Sequence, residues 1–197
     1  MISFVDAPFT KCGNRGRIDD GIHVTRSFEH RRWIYCVTSA LRDPNEFING
    51  RTFTDLFFLD EATALAAGHR PCHQCNRSRA DQFDTAWKVA TGETTLKVDA
   101  MDRQLNQERI DITMKKVTFR ATGSELPMGA IVKLEEEPFL LTKDLAYPWS
   151  PWGYGVPRER PVGDVEVLTP LSTVRVLQTK IFEVSLESLV MNWPSAE

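Results

Sequence analysis

The sequence predicts an α+β fold in three parts: a small hairpin-and-helix module, a helical connector, and a β-rich module of small-barrel size. Three observations predict it. A Cys-x-x-Cys pair, Cys72 and Cys75, follows a short Ala-rich stretch. Two segments between residues 79 and 110 place apolar residues at helical spacing. From about residue 117 onward, β-branched and polar residues mix between Pro and Gly. The parts are expected at 1–92, 93–125 and 126–197.

The chain has 197 residues, 42% hydrophobic and 26% charged, enough to bury a sizeable core. Its net charge is −3, so no overall basic excess announces a polyanionic partner. Residues 1–80 nevertheless carry 11 Lys/Arg against 9 Asp/Glu. The start, MISFVDAPFTK, lacks the charged-then-apolar pattern of a signal peptide. No apolar run reaches the roughly 18 residues of a membrane span. A cytoplasmic protein with no membrane partner is expected. In that compartment thiols stay reduced, and clustered cysteines bind metal or react.

Residues 12–32 are rich in Gly, Arg, Asp and His and read as loop or irregular ribbon. WIYCVTSAL (33–41) has the aromatic and β-branched content of a strand. Asp43-Pro44-Asn45 and Asn49-Gly50 are turn signals, and the second favours a hairpin. TFTDLFFL (52–59) is a second strand, expected to pair with the first. Asp60 then caps a short helix that Gly68 stops. A second helix is expected over 79–91, with Phe83 and Trp87 on one face and Gly92 at its end. A third spans 98–110, with Met101 and Leu105 on one side. VTFRA, GAIVKLEEEPFLLT and VEVLTPLSTVRVL complete the chain as β structure.

Cys72 and Cys75 suit half of a metal site. A Cys-x-x-Cys turn lets two thiolates reach one ion, and structural zinc takes four Cys or His ligands. Cys12 and Cys36 are the remaining cysteines, so a four-cysteine site would use every thiol. His30, His69 and His73 are substitutes. A redox pair fits less well, because the turn does not follow a strand in a βαβ context. Cys36 as a buried small apolar residue and Cys12 as an incidental loop thiol also stay open.

FFLDEATALAAGHRPCHQC (57–75) resembles the end of the zinc-binding N-terminal (methylphosphotriester) domain of Ada, the bacterial responder to DNA alkylation. Related metal-binding modules are attached to bacterial nucleases. Over its whole length the chain is similar to an uncharacterised bacterial family with GNRG, RRW-x-x-C, FFLDEA-x-ALAAGHRPC-x-x-C, LP-x-GA and W-x-P-x-GYG. The resemblance implies Zn2+, with Cys72 and Cys75 as ligands and Cys36 standing for the upstream half. In the Ada domain that half has two cysteines separated by three residues, one of which accepts a methyl group. Here position 40 is Ala and position 32 is Arg. The methyl-acceptor chemistry therefore does not carry over, and Cys12, then His30, is the candidate fourth ligand. A site with four protein ligands is closed and contributes folding energy; an open position would instead activate water.

Arginines cluster near these cysteines. Arg15 and Arg17 lie in CGNRGR, Arg31 and Arg32 precede the first expected strand, and Arg70 and Arg77 flank the pair. Gathered by a metal, they suit phosphate contacts. Pairing with Asp19, Asp20, Glu29 and Asp81, or helix-end capping by Arg70, are the structural alternatives. YPWSPWGYGVPRERP (147–161) offers Trp149 and Trp152 for base stacking and Arg158 and Arg160 for a backbone, or packs as a lid on the β module. The expected function is nucleic-acid binding, to DNA, with structural zinc. A DNA-processing enzyme using Asp19, Asp20 and His23 or a reactive Cys36 is one alternative; a protein-interaction module is the other. Gly-x-Ser-x-Gly, His-Glu-x-x-His and the phosphate-binding Gly-x-x-x-x-Gly-Lys are all absent.

Overall fold

The computed structural model describes residues 9–20, 23–38, 53–186 and 189. The expected turns at 43–50 lie outside them.

The first sheet is built from β1 (Lys11–Asn14), β2 (Ile34–Val37), β3 (Leu56–Phe58) and the short β4 (Arg70–Pro71). Its order is β3-β1-β2-β4. The two expected strands therefore do not pair. β1, expected as loop, lies between them and runs antiparallel to both. KCGN has no β-branched residue to announce a strand. Gly13 is required there, because the Phe58 ring covers the place of a Cβ.

Three helices follow close to expectation. Asp60 caps α1 (Glu61–Ala66) by accepting from Thr63 N at 2.8 Å. Gly68, at φ +85°, turns the chain out of it. α2 (Arg77–Thr91) buries Phe83 and Trp87 and ends at Gly92, φ +73°. α3 (Val98–Arg109) buries Met101 and Leu105.

The second sheet comprises β5 (Phe119–Thr122), β6 (Ile131–Leu134), β7 (Glu137–Leu141), β8 (Leu145–Ser150), β9 (Gly153–Tyr154), β10 (Arg158–Glu159) and β11 (Asp164–Val167). The order is β10-β8-β7-β6-β11-β5, with β9 paired to β8. The ends β10 and β5 do not meet, so the sheet is open and the barrel expectation is corrected.

A second correction concerns LSTVRVLQ. It forms α4 (Leu171–Gln178), not strand. Pro170 ends the extended run after β11, and Glu108 of α3 accepts from Ser172 N (2.8 Å) and Ser172 Oγ (2.6 Å). A carboxylate at a helix N-terminus satisfies free amides and matches the dipole. Packing then overrides the weak helix propensity of Thr173, Val174 and Val176.

The core crosses the expected boundaries. Tyr35, Phe58, Leu65, Phe83, Trp87, Met101 and Leu105 pack with Val176, Leu177 and Phe182. Ala62 and Ala66, on the other side of α1, pack with Ile131 and Leu140 of the second sheet. Small side chains let α1 lie close to both layers.

Candidate metal centre

β2 and β4 run parallel, with Ile34 opposite Arg70 and Tyr35 opposite Pro71. Cys72 N continues this register by donating to Tyr35 O at 3.0 Å. The first cysteine of the turn thereby arrives beside Cys36. The turn is closed by Asn76 N donating to Cys72 O at 2.9 Å. Within it, Gln74 N lies 3.4 Å from Cys72 Sγ.

Cys36, Cys72 and Cys75 bring their sulfurs within 4.8 Å of one another. The Cys72 and Cys75 sulfurs are 3.4 Å apart. Zinc–sulfur bonds of about 2.3 Å in a tetrahedron separate the sulfurs by about 3.8 Å. The cluster thus needs only small adjustments to hold an ion. Cys12 is the direct cross-strand partner of Cys36. It is buried and contacts the Cys36 thiol, although it falls outside the tight trio.

The thiols share protons unequally. Hydrogen bonding, first from Cys36 and then from backbone amides of the turn, lowers Cys72 to about 4 against the opposing effect of burial. Hydrogen bonds with Cys12 and Cys72, then burial, push Cys36 up. Burial raises Cys75. One thiolate is stable here, and further ionisation needs a cation to offset like-charge repulsion.

No family model, curated protein or solved structure matches the chain.

Two of the three histidine substitutes are engaged elsewhere. His69 is buried against Trp33 and Phe58, and its Nε2 accepts from Arg15 Nε at 3.2 Å. His73 Nε2 is 2.7 Å from Asp84 Oδ2. His30 is not among the clustered ligands. Nor are Asp19, Asp20 and His23. Asp20 Oδ1 accepts from His23 N at 2.8 Å in a local turn, and Asp19 Oδ2 binds the Thr54 hydroxyl. Among the described residues, the cysteine trio is the single group of three such side chains able to hold an ion.

The predicted phosphate contacts disperse. Arg70 is 2% exposed and grips Asp102 with Nε and Nη2, both at 2.9 Å, which removes it from any surface. Arg77 pairs with Asp81 one helical turn away. Arg17, Arg31 and Arg32 are exposed. Arg15 stacks on Trp33, 3.8 Å from the ring centroid. Arg158 pairs with Glu135, and Arg160 donates to the carbonyls of Gly123, Leu126 and Thr142. Trp152 is exposed in the β8–β9 turn.

Trp149 has a different setting. It lines a cavity of about 470 Å³ together with Arg15, although 134 positions separate them. Arg109, Lys116 and Trp33 line it too. None of these three was singled out from the sequence. The available signal was Arg109, which stands four residues after Leu105 and eight after Met101, in phase with the apolar stripe of α3.

Proposed function

We propose that the chain is a zinc-binding protein in which Cys12, Cys36, Cys72 and Cys75 hold one structural Zn2+, and that it binds nucleic acid, of the DNA type. The observation that carries the metal is the approach of Cys36, Cys72 and Cys75 to within 4.8 Å. Soft thiolates in a tetrahedral set favour zinc over magnesium or calcium. Cys12, opposite Cys36 on β1, completes the set. Four protein ligands leave no open position, so the ion ties β1, β2 and the turn before α2 and activates no water.

The nucleic-acid part is supported by the likeness of residues 57–75 to the Ada domain. Exposed Arg17, Arg31 and Arg32 flank the loop between β1 and β2, both of which the metal holds. Arg15 and Trp149 contribute at the cavity.

Metal content per chain, measured by elemental mass spectrometry, tests the reading. We expect one zinc in the wild type, lost in Cys36→Ser and reduced in Cys12→Ser. No metal in the wild type refutes the centre. Zinc fully retained in Cys12→Ser assigns the fourth position elsewhere. A salt titration of duplex DNA binding tests the partner, because affinity must fall steeply as salt rises if phosphates are contacted.

A further inference from the structure

Three cations converge on the cavity between α1 and the second sheet: Arg15, Arg109 and Lys116. Among the described residues, no Asp or Glu lines it. Among the described residues, none of the three is within salt-bridge distance of a carboxylate. Arg15 donates through Nε to the neutral ring of His69. Lys116 Nζ donates to Ala66 O at 2.8 Å. Arg109 donates through Nη1 to Arg31 O at 2.7 Å. The acids that act on Arg109 through space are hydrogen-bonded elsewhere: Asp102 to Arg70, and Glu108 to Ser172.

Arg109 is the decisive group. It is 2% exposed, and among the described residues its Nε and Nη2 have no acceptor. A buried guanidinium without a close partner anion is costly to the fold. The fold goes to some length to hold it. The absent Cβ of Gly68 makes room, since a methyl there would sit 2.5 Å from Arg109 Cγ. Trp33 lies under both guanidiniums, at 3.8 Å from Arg15 and 4.8 Å from Arg109. Burial lowers Arg15 to about 10 and Arg109 to about 9, and it lowers Lys116 to about 8 at the ammonium, although that residue as a whole is exposed; each stays charged at neutral pH.

The rest of the wall is mostly apolar or aromatic, with the hydroxyl residues Ser27 and Thr63 added. Ile131, Pro138 and Leu168 come from the second sheet and its margins. Trp149 adds a ring whose Nε1 is buried without an acceptor. The wall thus offers an excess of donors, three positive charges with no carboxylate among the described lining residues, and flat apolar surface beside them. About 470 Å³ falls within the usual range for small-molecule pockets, roughly 300–1,000 Å³.

We propose that this cavity binds a nucleotide phosphate: the phosphate meets Arg109, Arg15 and Lys116, and the base lies against Trp149 and the apolar wall. The phosphate part stands on the cations alone. The choice of a nucleotide over another phosphorylated ring rests on the nucleic-acid reading. The nucleotide comes free or as the 5′ end of a strand, and the two sources share this chemistry.

Titration calorimetry on the full chain with its metal tests the assignment. The probes are adenosine 5′-monophosphate, adenosine, inorganic phosphate, and a short single strand with and without a 5′-phosphate. We expect adenosine monophosphate or the phosphorylated strand to bind, and adenosine and the unphosphorylated strand to bind at least tenfold more weakly. Binding of the monophosphate alone assigns a free nucleotide; binding of the phosphorylated strand assigns a strand end. Lys116→Gln should weaken the bound probe roughly tenfold, the scale of one charged hydrogen bond. Trp149→Phe, which keeps a ring but loses the N–H, should weaken it roughly fivefold. Equal binding of adenosine and its monophosphate overturns the proposal. So does an unchanged Kd in both variants, or no phosphorylated probe binding at millimolar concentration. Both variants leave the cysteines intact, so zinc content and duplex binding on the same samples report separately on the function proposed above.

Discussion

Arg70 stands two residues before Cys72, yet its guanidinium turns inward to Asp102 on α3. In the sequence it belongs with the other arginines around the cysteine pair. Its partner is 32 residues away, and nothing local identifies it. A buried, bidentate pair of this kind resists removal of one partner, because the other charge is left in a low dielectric. Asp102→Ala should therefore lower unfolding free energy by about 3–5 kcal/mol in urea denaturation. A change below about 0.5 kcal/mol, as at ordinary surface sites, would show that Arg70 relaxes to solvent. The cysteines behave in the opposite way. Cys72 and Cys75 were legible because a three-residue spacing in a turn is itself a geometric statement. Cys36 was legible only through likeness to a known pattern, and the place of Cys12 opposite it depends on a strand the sequence does not announce.

At the level of elements, α1, α2 and α3 were readable because each carries its own punctuation: Asp60 and Gly68, Gly92, and a 3.6-residue apolar period. α4 carries none. Its N-terminus is satisfied by Glu108, 64 residues earlier, and its β-branched residues favour extended chain. Glu108→Ala should consequently destabilise the protein by about 1–2 kcal/mol, the usual cost of a lost cap. The loss should concentrate in amide protection over residues 171–178 by hydrogen exchange; uniform loss across the chain would argue against a capping role. β1 was missed for a related reason. Four residues without a β-branched side chain become a central strand because β2 and β3 each offer an open edge to it.

On the scale of the whole molecule, the two sheets are joined by α1, which has Leu65 in one core and Ala66 in another. The cation cluster occupies this junction, and its cost should be visible in stability against pH. Lys116 is an exposed residue whose ammonium turns in to Ala66 O; burial there and then Arg15 lower it to about 8 from its ordinary 10.5. Between those values the unfolded chain binds more protons than the folded one, so stability rises with pH. Urea midpoints should thus increase from pH 8 to pH 10 in the wild type, and increase less in Lys116→Gln. Parallel profiles for the two proteins would mean that Lys116 is not held as described. From the sequence Arg15 and Trp149 stood out singly, but their meeting with Trp33, Arg109 and Lys116 did not, because these residues come from the β1–β2 loop, the end of α3 and the loop after it, and β8, and only the fold makes them neighbours.

β1 carries Cys12 into the thiol cluster and delivers Arg15 to the cavity three residues later. One short strand thus connects the two proposed sites, whose ligands would have opposite charge. Whatever order a metal imposes on β1 is order that an anion need not impose on Arg15, and the same holds in reverse. Linkage makes the two affinities reciprocal: a factor gained by the phosphate when the metal is present is the factor gained by the metal when the phosphate is present. If both ligands bind, the three residues from Cys12 to Arg15 are the physical link between them.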